Sequence, residues 1–232
     1  METTHYTLPG PCKDIALIAD MHERNLETVL RIIDSEHTDI IAIAGDMTDR
    51  AHGNRINDST LHSFREFSNR ARVFFTPGNH ERSLSPKDLE RIRSCGVTVL
   101  DNSFVPLGEK IFIGGLTSFS VTGLTYPGRL SAQRFIRKFS SLDGFRILLC
   151  HHPEYYQKYF AADDADLILS GHAHGGQWRI LGLGVFAPGQ GLFPKYTKGV
   201  YDGRLVVSAG VTNSSAVPRL FDPTEVVYVH LR

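Results

Sequence analysis

Five short clusters of polar residues carry side chains that could bind metal ions. They share Asp, Asn and His, whose oxygen and imidazole atoms are common ligands of divalent cations. In chain order the clusters are Asp20-Met21-His22, Gly45-Asp46-Met47-Thr48-Asp49, Gly78-Asn79-His80-Glu81, His151-His152-Pro153 and Gly171-His172-Ala173-His174. Each cluster alone is weak evidence, because each could be a turn or the start of a helix. The last is the strongest, since alternate residues of an extended chain point to the same side.

Each cluster follows a short apolar run that is typical of a strand buried on both faces. The runs cover residues 15–19, 40–44, 73–75, 147–150 and 167–169. Helical patterns lie between them, and strands that alternate with helices predict parallel pairing. Ligand sites in such folds form beyond the carboxyl ends of the strands. We therefore expect all five clusters to meet at one edge of one sheet.

The helices are predicted from apolar periodicity and from start signals. Leu26, Val29, Leu30 and Ile33 are spaced to form one face of a helix, and Leu61 and Phe64 begin a second apolar stripe. The sequence Ser85-Pro86-Lys87-Asp88 is typical of a helix start, and Ser131 could cap a helix that carries Phe135, Ile136 and Phe139.

Later segments change character. Residues 111–113, 205–207 and 226–229 look like short strands without long helices between them, which predicts a second sheet packed on the first. The fold class is therefore a layered α/β sandwich. Two interpretations of residues 175–203 stay open: an ordered loop beside the site that carries Trp178, Phe186, Phe193, Tyr196 and Tyr201, or a strand-and-turn part of the second sheet.

Composition excludes several classes of protein. The 232 residues include 25 basic and 25 acidic ones, so no overall positive field attracts nucleic acid. A local patch of Arg129, Arg134, Arg137 and Lys138 could equally be a solvated helix face. Cysteines at 12, 95 and 150 do not indicate a disulfide framework, and Cys150 is expected to be buried. Without an apolar leader or a long apolar run, we expect a cytoplasmic protein, with peripheral membrane association open.

As an ordered set, the clusters resemble the calcineurin-like metallophosphoesterase superfamily. The matching patterns are D-x-H, G-D-x-x-D, G-N-H-E, H-x-P and G-H-x-H, from about Asp14 to His174. The continuation Gly175-Gly176-Gln177, residues 186–191 and Asn213-Ser214 resemble the bacterial phosphodiesterase branch that contains YkuE-like and YaeI-like proteins. The resemblance implies a four-layer sandwich of two mixed β-sheets flanked by helices, formed by a single domain over residues 1–232.

The resemblance also implies a role for each matching residue. One metal ion would be bound by Asp20, His22, Asp46 and His174, and a second by Asp46, Asn79, His151 and His172. Asp46 would bridge the two ions, His80 would act on the leaving group, and Asp49 would orient His80.

Four residues beside the motifs are less certain. Of the two adjacent histidines we assign His151 as the ligand, and expect His152 to point to the opposite face as a substrate contact or a packed residue. Glu81 could be a helix-start carboxylate or could support the site from behind, and Glu23 and Arg50 have no assigned role.

The implied chemistry is phosphoester hydrolysis with two divalent cations. Mixed oxygen and imidazole ligands favour Mn, with Fe, Zn or Mg possible. A hydroxide that bridges the ions would attack phosphorus in line, and His80 would protonate the leaving oxygen. The expected substrate is a small-molecule or lipid-linked phosphomonoester or phosphodiester.

Three alternatives remain. A hydrolase similar to UDP-2,3-diacylglucosamine pyrophosphatase would need an apolar channel, which Trp178, Phe186 and Phe193 could line. A nuclease would need a basic groove, and the neutral charge disfavours one, so we expect no nucleic-acid partner. A non-catalytic binding scaffold is disfavoured because the whole ligand set and His80 are present.

Overall fold

The computed structural model describes residues 1–49, 53, 55–118, 126–161, 164–213 and 217–232, with only the backbone described at 126–130. Strands in chain order are Glu2–Leu8 (β1), Lys13–Ile18 (β2), Ile40–Ala44 (β3), Arg72–Thr76 (β4), Val97–Val99 (β5), Ser103–Gly108 (β6), Ile111–Leu116 (β7), Phe145–Cys150 (β8), Leu167–Ser170 (β9), Arg179–Ile180 (β10), Leu183–Gly184 (β11), Phe186–Ala187 (β12), Gly191–Leu192 (β13), Gly199–Tyr201 (β14), Leu205–Val207 (β15) and Glu225–Leu231 (β16). Helices are Leu26–Ser35 (α1), Asp58–Ser68 (α2), Pro86–Arg93 (α3), Tyr126–Ser140 (α4) and Tyr155–Tyr159 (α5).

Twelve of these strands form two mixed sheets of six strands each, and the other four form two short hairpins. The first has the order β1-β16-β2-β3-β4-β5, and the second has the order β14-β15-β9-β8-β7-β6. Strands β2 to β5 run parallel in the first sheet. Strands β7, β8, β9 and β15 run parallel in the second. The predicted parallel pairing is therefore confirmed for the centre of each sheet.

The strands are continuously apolar because both faces of both sheets are covered. Side chains such as Ile15, Leu17, Ile147 and Leu149 lie between the sheets. The opposite face of the first sheet packs on α1, α2 and α3, and the opposite face of the second packs on α4 and α5. This order of helix, sheet, sheet and helix is the predicted four-layer sandwich.

The prediction that one sheet carries all five polar clusters is wrong. Strands β2, β3 and β4 belong to the first sheet, whereas β8 and β9 belong to the second. Residues 226–229 were expected in the second sheet, but β16 pairs between β1 and β2 in the first. An apolar run shows that a strand is buried, but the sheet it joins depends on pairing with distant segments.

The helix predictions are largely confirmed. Val29, Leu30 and Ile33 form the buried face of α1. Ser85 and Asp88 form a reciprocal capping box at the start of α3. The prediction for α4 placed its start too late: the helix begins at Tyr126, so Ser131 lies inside it rather than at its cap. Pro127 is compatible with this longer helix, because proline is tolerated in a first turn.

Residues 175–203 combine both interpretations. They form a hairpin of β10 and β11, a hairpin of β12 and β13, and then β14, which joins the edge of the second sheet.

Cys150 is buried as expected, and burial raises the pKa of its thiol. Arg134, Arg137 and Lys138 are exposed on α4, as a solvated face would be, and the side chain of Arg129 lies outside the described residues.

Asp14 ties β2 to the end of the chain and provides a test of the fold. Its Oδ1 lies 2.7 Å from His230 Nδ1 and accepts a hydrogen bond from Arg232. Burial alone would raise the pKa of Asp14, but the hydrogen bonds from His230 and Arg232 outweigh burial and lower it. A lowered pKa adds stability above the unfolded value, about 4, and that stability is lost as pH falls.

We therefore expect Asp14→Asn to lower the free energy of unfolding by about 0.5–1 kcal/mol at neutral pH. The difference from the parent should shrink as pH falls from about 4 through the lowered pKa of folded Asp14, because the carboxyl then takes up a proton and is uncharged like the amide. Urea unfolding at a series of pH values measures it. A difference that stays constant into acid would contradict the ion-pair interpretation.

Candidate metal centre

The predicted ligands lie just beyond the carboxyl ends of strands from both sheets. Asp20, Asp46 and Asn79 follow β2, β3 and β4 of the first sheet, and His151 and His172 follow β8 and β9 of the second. The two sets meet across the sandwich, since His151 Nδ1 lies 2.6 Å from the carbonyl oxygen of Ala44. The site is therefore a junction between two sheet edges.

The chain turns sharply where the ligands project. Asp20, His22, Asp46, His172 and His174 all have positive φ, between 45° and 65°. Such φ angles are uncommon for residues other than glycine, although Asn, Asp and His adopt them more often than the rest, and residues in this region cluster at functional sites. Glycines allow the loops to approach each other closely. A Cβ on Gly78 would overlap Oδ1 of Asp46.

Asp20, His22 and His174 form the first half-site. Their ligand atoms lie within 4.8 Å of one another, and all three residues are buried. His22 Nδ1 lies 3.0 Å from the carbonyl oxygen of Thr48, which can only accept a hydrogen bond, so in the neutral ring Nδ1 carries the hydrogen and Nε2 the lone pair. Among the described residues, His22 Nε2 and Asp20 Oδ1 have no hydrogen-bond partner. Buried unpartnered acceptors of this kind fit a bound cation.

We name His151, His172 and Asn79 the second half-site: ligand atoms of His151 and His172 group with one of His152 within 4.8 Å, and Asn79 Oδ1 lies 3.1 Å from His151 Nε2. Donation from His151 Nδ1 to Ala44 directs Nε2 at two acceptors, Asn79 Oδ1 at 3.1 Å and Asp46 Oδ2 at 3.2 Å. Three acceptor atoms converge there unless the imidazole takes a second proton. Burial alone would lower the pKa of His151, but the Asp46 carboxylate outweighs burial and raises it. A cation could take the place of that proton.

Asp46 lies between the two half-sites. Its ligand atoms group with those of Asp20 and His151, one residue from each half-site, and also with those of His22 and His80. Burial opposes its ionisation, but the neighbouring imidazoles of His151, His80 and His22 outweigh burial and hold the pKa of Asp46 well below its usual range. Its Oδ1 accepts the backbone N–H of His80 at 2.9 Å. The carboxylate is thus fixed in its charged form at the position that a bridging ligand would occupy.

Family comparison agrees with this geometry. A sequence profile of the family described as calcineurin-like phosphoesterase matches residues 13–176. The chain belongs to the calcineurin-like phosphoesterase family. The family is one of metal-dependent phosphoester hydrolases. The finer assignment of this chain to the YkuE-like and YaeI-like branch stays a prediction.

Relatives in this family differ in length. An uncharacterized metallophosphoesterase of Aquifex aeolicus is 28% identical over 94% of this chain and 82% of its own length. A putative metallophosphoesterase of Caenorhabditis elegans is 26% identical over 93% of this chain, which spans only 47% of that protein. The solved structure of a dimetal phosphatase from Danio rerio has a TM-score of 0.55 at 13% identity, covering 87% of this chain and 88% of that chain. At such identity, the likeness shows the fold alone.

The donor set fits the divalent cations that the family implies. Carboxylate, amide and neutral imidazole groups together suit Mn, Fe or Zn better than Mg, which prefers oxygen. Burial, followed by the charges of His152 and His151, holds the pKa of His172 well below its usual range, so its ring is available as a neutral ligand. Which ions bind stays a prediction.

The expectation that His152 points away from His151 is wrong. The two rings are 5.2 Å apart, and the His152 ring lies 3.9 Å from that of His172. Strand β8 ends at Cys150, so the alternation of a pleated strand no longer applies at these residues. His152 Nδ1 lies 3.0 Å from Glu154 Oε1, and its ring stacks on Tyr155. His152 therefore lines the site as a packed residue within reach of the second half-site.

Glu81 supports the site from behind. It is fully buried, and its two oxygens accept backbone N–H groups of Asp46 at 2.8 Å, Thr48 at 2.9 Å and Gly78 at 2.8 Å. These bonds join the loop after β3 to the loop after β4. Of the two interpretations left open by the sequence, the structure favours this supporting role over that of a helix-start carboxylate.

The remaining motif residues have mixed outcomes. Asp49 accepts from Arg24 Nη2 at 3.0 Å, and its role in orienting His80 stays a prediction. Glu23 accepts from Asn57 Nδ2 and Thr60 Oγ1 at the start of α2, which is a structural role. Asn213 donates to the carbonyl oxygen of Val217. Arg50 and Ser214 lie outside the described residues.

Arg219 is a residue that sequence reasoning missed. Its guanidinium donates to the carbonyl oxygens of Ala209 and Thr212, both at 2.6 Å, and to Asp222 at 3.1 Å. It also lies 3.3 Å from His174 Nδ1. It lies more than forty residues after His174, the last of the predicted metal ligands, so no spacing within that set marks it. Its contacts fix the loop that lies behind the first half-site.

Proposed function

We propose that this chain hydrolyses a phosphoester at a centre of two divalent cations. The observation that carries the proposal is the position of the charged Asp46 between two buried groups of ligand atoms. In this assignment Asp20, His22 and His174 bind one ion, Asn79, His151 and His172 bind the other, and Asp46 bridges them. The ions would activate a water molecule and neutralise charge on the phosphoryl oxygens.

His80 is the proposed catalytic residue. Its side chain is buried at the centre, with Nε2 3.8 Å from Asp46 Oδ2 and its ring 4.5 Å from that of His22. A protonated imidazole at this place can donate to the leaving oxygen as the ester bond breaks. The hydrogen bond from its backbone N–H to Asp46 Oδ1 fixes His80 relative to the proposed bridging ligand. Asp49 is proposed to orient the ring.

The kind of phosphoester that the site accepts stays open among several classes. Trp178 and Phe186 line one apolar groove with Leu192, whereas Phe193 lies outside it with 80% of its surface exposed. A nucleotide-sugar lipid would place acyl chains in such a groove, so this alternative stays a prediction beside small phosphomonoesters and phosphodiesters. No helix in the described part of the chain has the length and apolar character needed to cross a membrane.

Metal dependence is the direct test of the proposed hydrolysis. Metal-stripped protein should be inactive toward bis-p-nitrophenyl phosphate and p-nitrophenyl phosphate, and should regain turnover when Mn is added back, with Fe, Zn and Mg as comparisons. The reason is that water is a poor nucleophile at neutral pH unless a cation lowers its pKa to about 7. Release of p-nitrophenolate measures the rate and ranks diester against monoester. A folded protein that turns over neither compound with any metal would favour the scaffold alternative.

A further inference from the structure

The exposed apolar side chains of this molecule are concentrated on one surface. Among the described residues, every exposed large hydrophobic side chain except Met1 lies between residues 178 and 221. We name this surface the apolar platform: the hairpin of β10 and β11, the hairpin of β12 and β13 with Phe193, and residues 217–221. Contiguous exposed apolar surface is uncommon on soluble proteins and marks contact with a membrane or another macromolecule.

The parts of the platform form one structure. Trp178 pairs with Leu220, and its indole Nε1 donates to the carbonyl oxygen of Pro218 at 3.0 Å. The backbone N–H of Val185 donates to Trp178 at 2.9 Å, and that of Phe193 donates to Val185 at 2.9 Å. The two hairpins and the 217–221 segment are therefore held together by hydrogen bonds.

The three most exposed apolar residues are held outward by unusual backbone. Leu181, Phe193 and Phe221 are 97%, 80% and 79% exposed, and their φ angles are 51°, 50° and 54°. Glycine or asparagine is the usual residue at such positions, because a bulky side chain is strained there. A glycine or asparagine at each of these three positions would make the folded protein more stable, and an apolar side chain exposed to water adds no stability there. Strained residues of this kind indicate a function for the side chain.

The platform carries basic side chains and no carboxylate, and the neighbouring Asp222 is buried and paired with Arg219. No Asp or Glu occurs from residue 167 to residue 201, whereas Arg179, Lys195 and Lys198 do. Lys198 is paired with Glu225 at 2.9 Å. Arg179 contacts Gly175, Gly182 and Thr197, and the Lys195 ammonium lies over the Tyr196 ring. In the part of the chain that the structure describes, neither of these two cations has an ion pair with a carboxylate.

We propose that the apolar platform docks onto a bilayer that contains anionic phospholipids. Leu181, Phe193 and Phe221 would insert among the acyl chains, and Arg179 and Lys195 would lie at the level of the phosphate groups. Trp178 has the amphipathic character of side chains found at that level. Leu181, Phe193 and Phe221 lie on three separate turns. Such isolated side chains can insert into a fluid bilayer without a surface of complementary shape, whereas a protein partner would need one.

Docking would bring the metal centre to the membrane surface. Gly189, between β12 and β13, lies against the second half-site, and a Cβ there would be 3.5 Å from His172 Nε2. The turn that holds His174 leads through Gly176 directly into Trp178. The inference stands on the surface and its charge, and does not rest on the proposed hydrolysis.

Vesicle binding tests the inference with a built-in reporter, because Trp178 is the one tryptophan of the chain. The full chain should float with phosphatidylcholine vesicles that contain phosphatidylglycerol, and Trp178 emission should shift to the blue. Binding should weaken in high salt and with vesicles of phosphatidylcholine alone. Asp46→Asn should float like the parent, which separates docking from catalysis.

The decisive variant is the double substitution Leu181→Asn with Phe193→Asn. Asparagine tolerates positive φ, so the protein should unfold at the same or a higher urea concentration, while vesicle affinity falls at least about tenfold. Lys195→Glu should weaken binding to anionic vesicles, and Lys87→Glu, an exposed lysine on α3, should not.

Three results would overturn the inference. The first is flotation of the double variant equal to that of the parent, and the second is an unchanged Trp178 spectrum with anionic vesicles. The third is a parent that light scattering shows to be a dimer and a double variant that is a monomer, which would assign the platform to a second copy of the chain.

Discussion

Replacement of Asp46 by Asn should abolish metal-dependent turnover. The substitution keeps an oxygen that can accept the backbone N–H of His80, but removes the charge that lies between His151, His80 and His22. Two cations at a short separation repel each other, and a neutral amide cannot offset that repulsion. We expect the rate to fall by at least roughly 10³-fold, equivalent to about 4 kcal/mol of transition-state stabilisation.

Metal content and turnover should be measured together on this variant. The parent should retain two equivalents of metal after gel filtration, and Asp46→Asn fewer. Asp39→Asn is the matched control, because Asp39 belongs to a similar but more exposed group with Asp14 and His37 and lies outside the proposed centre. Near-parental turnover by Asp46→Asn with Mn would refute a bridging role. Equal losses in both variants would indicate general instability instead.

Much of the centre could be predicted from the sequence because its signals are local. A carboxylate or imidazole directly after a buried strand must lie near a sheet edge, whatever the rest of the fold does. That argument holds for Asp20, Asp46 and Asn79 in the first sheet. It holds equally for His151 and His172, although they turned out to follow strands of the second sheet.

The parts that could not be predicted depend on non-local contacts. Nothing in residues 226–229 shows that β16 pairs with β1 and β2 rather than with strands of the second sheet. Arg219 acts through carbonyl groups of Ala209 and Thr212, which no side-chain pattern reveals. His152 was misplaced because the pleat was extended two residues beyond the end of β8 at Cys150.

The exposed tips illustrate a third kind of difficulty. Leu181 and Phe193 look like ordinary apolar residues of short strands in the sequence. Their positive φ angles and exposure become visible only when the turns are formed. Local preference and observed structure conflict there, and such conflicts are concentrated at functional sites.

Replacement of Glu81 by Ala should cause the largest loss of stability near the centre. Its carboxylate accepts three backbone N–H groups, those of Asp46, Thr48 and Gly78, in a place without solvent access. Each buried donor left without a partner costs about 1–3 kcal/mol. Allowing for partial relaxation, we expect the free energy of unfolding to fall by roughly 3–5 kcal/mol. Because these bonds hold the loop of Asp46, metal affinity should also fall by about 10–100-fold.

Two further variants separate the explanations for that loss. Glu81→Gln keeps the size of the side chain. In the parent, each carboxylate oxygen of Glu81 accepts at least one backbone N–H. The amide nitrogen of glutamine would therefore face an N–H donor in either orientation of the amide. It should therefore lose most of the same stability, whereas a role limited to packing predicts little loss. Glu23→Ala is the matched control, since Glu23 also flanks a motif and accepts from Asn57 and Thr60 side chains at a partly exposed site. Urea unfolding of each variant with and without Mn distinguishes these explanations. If Glu81 fixes the Asp46 loop, added Mn should raise the free energy of unfolding of Glu23→Ala as much as that of the parent, and should raise that of both Glu81 variants less.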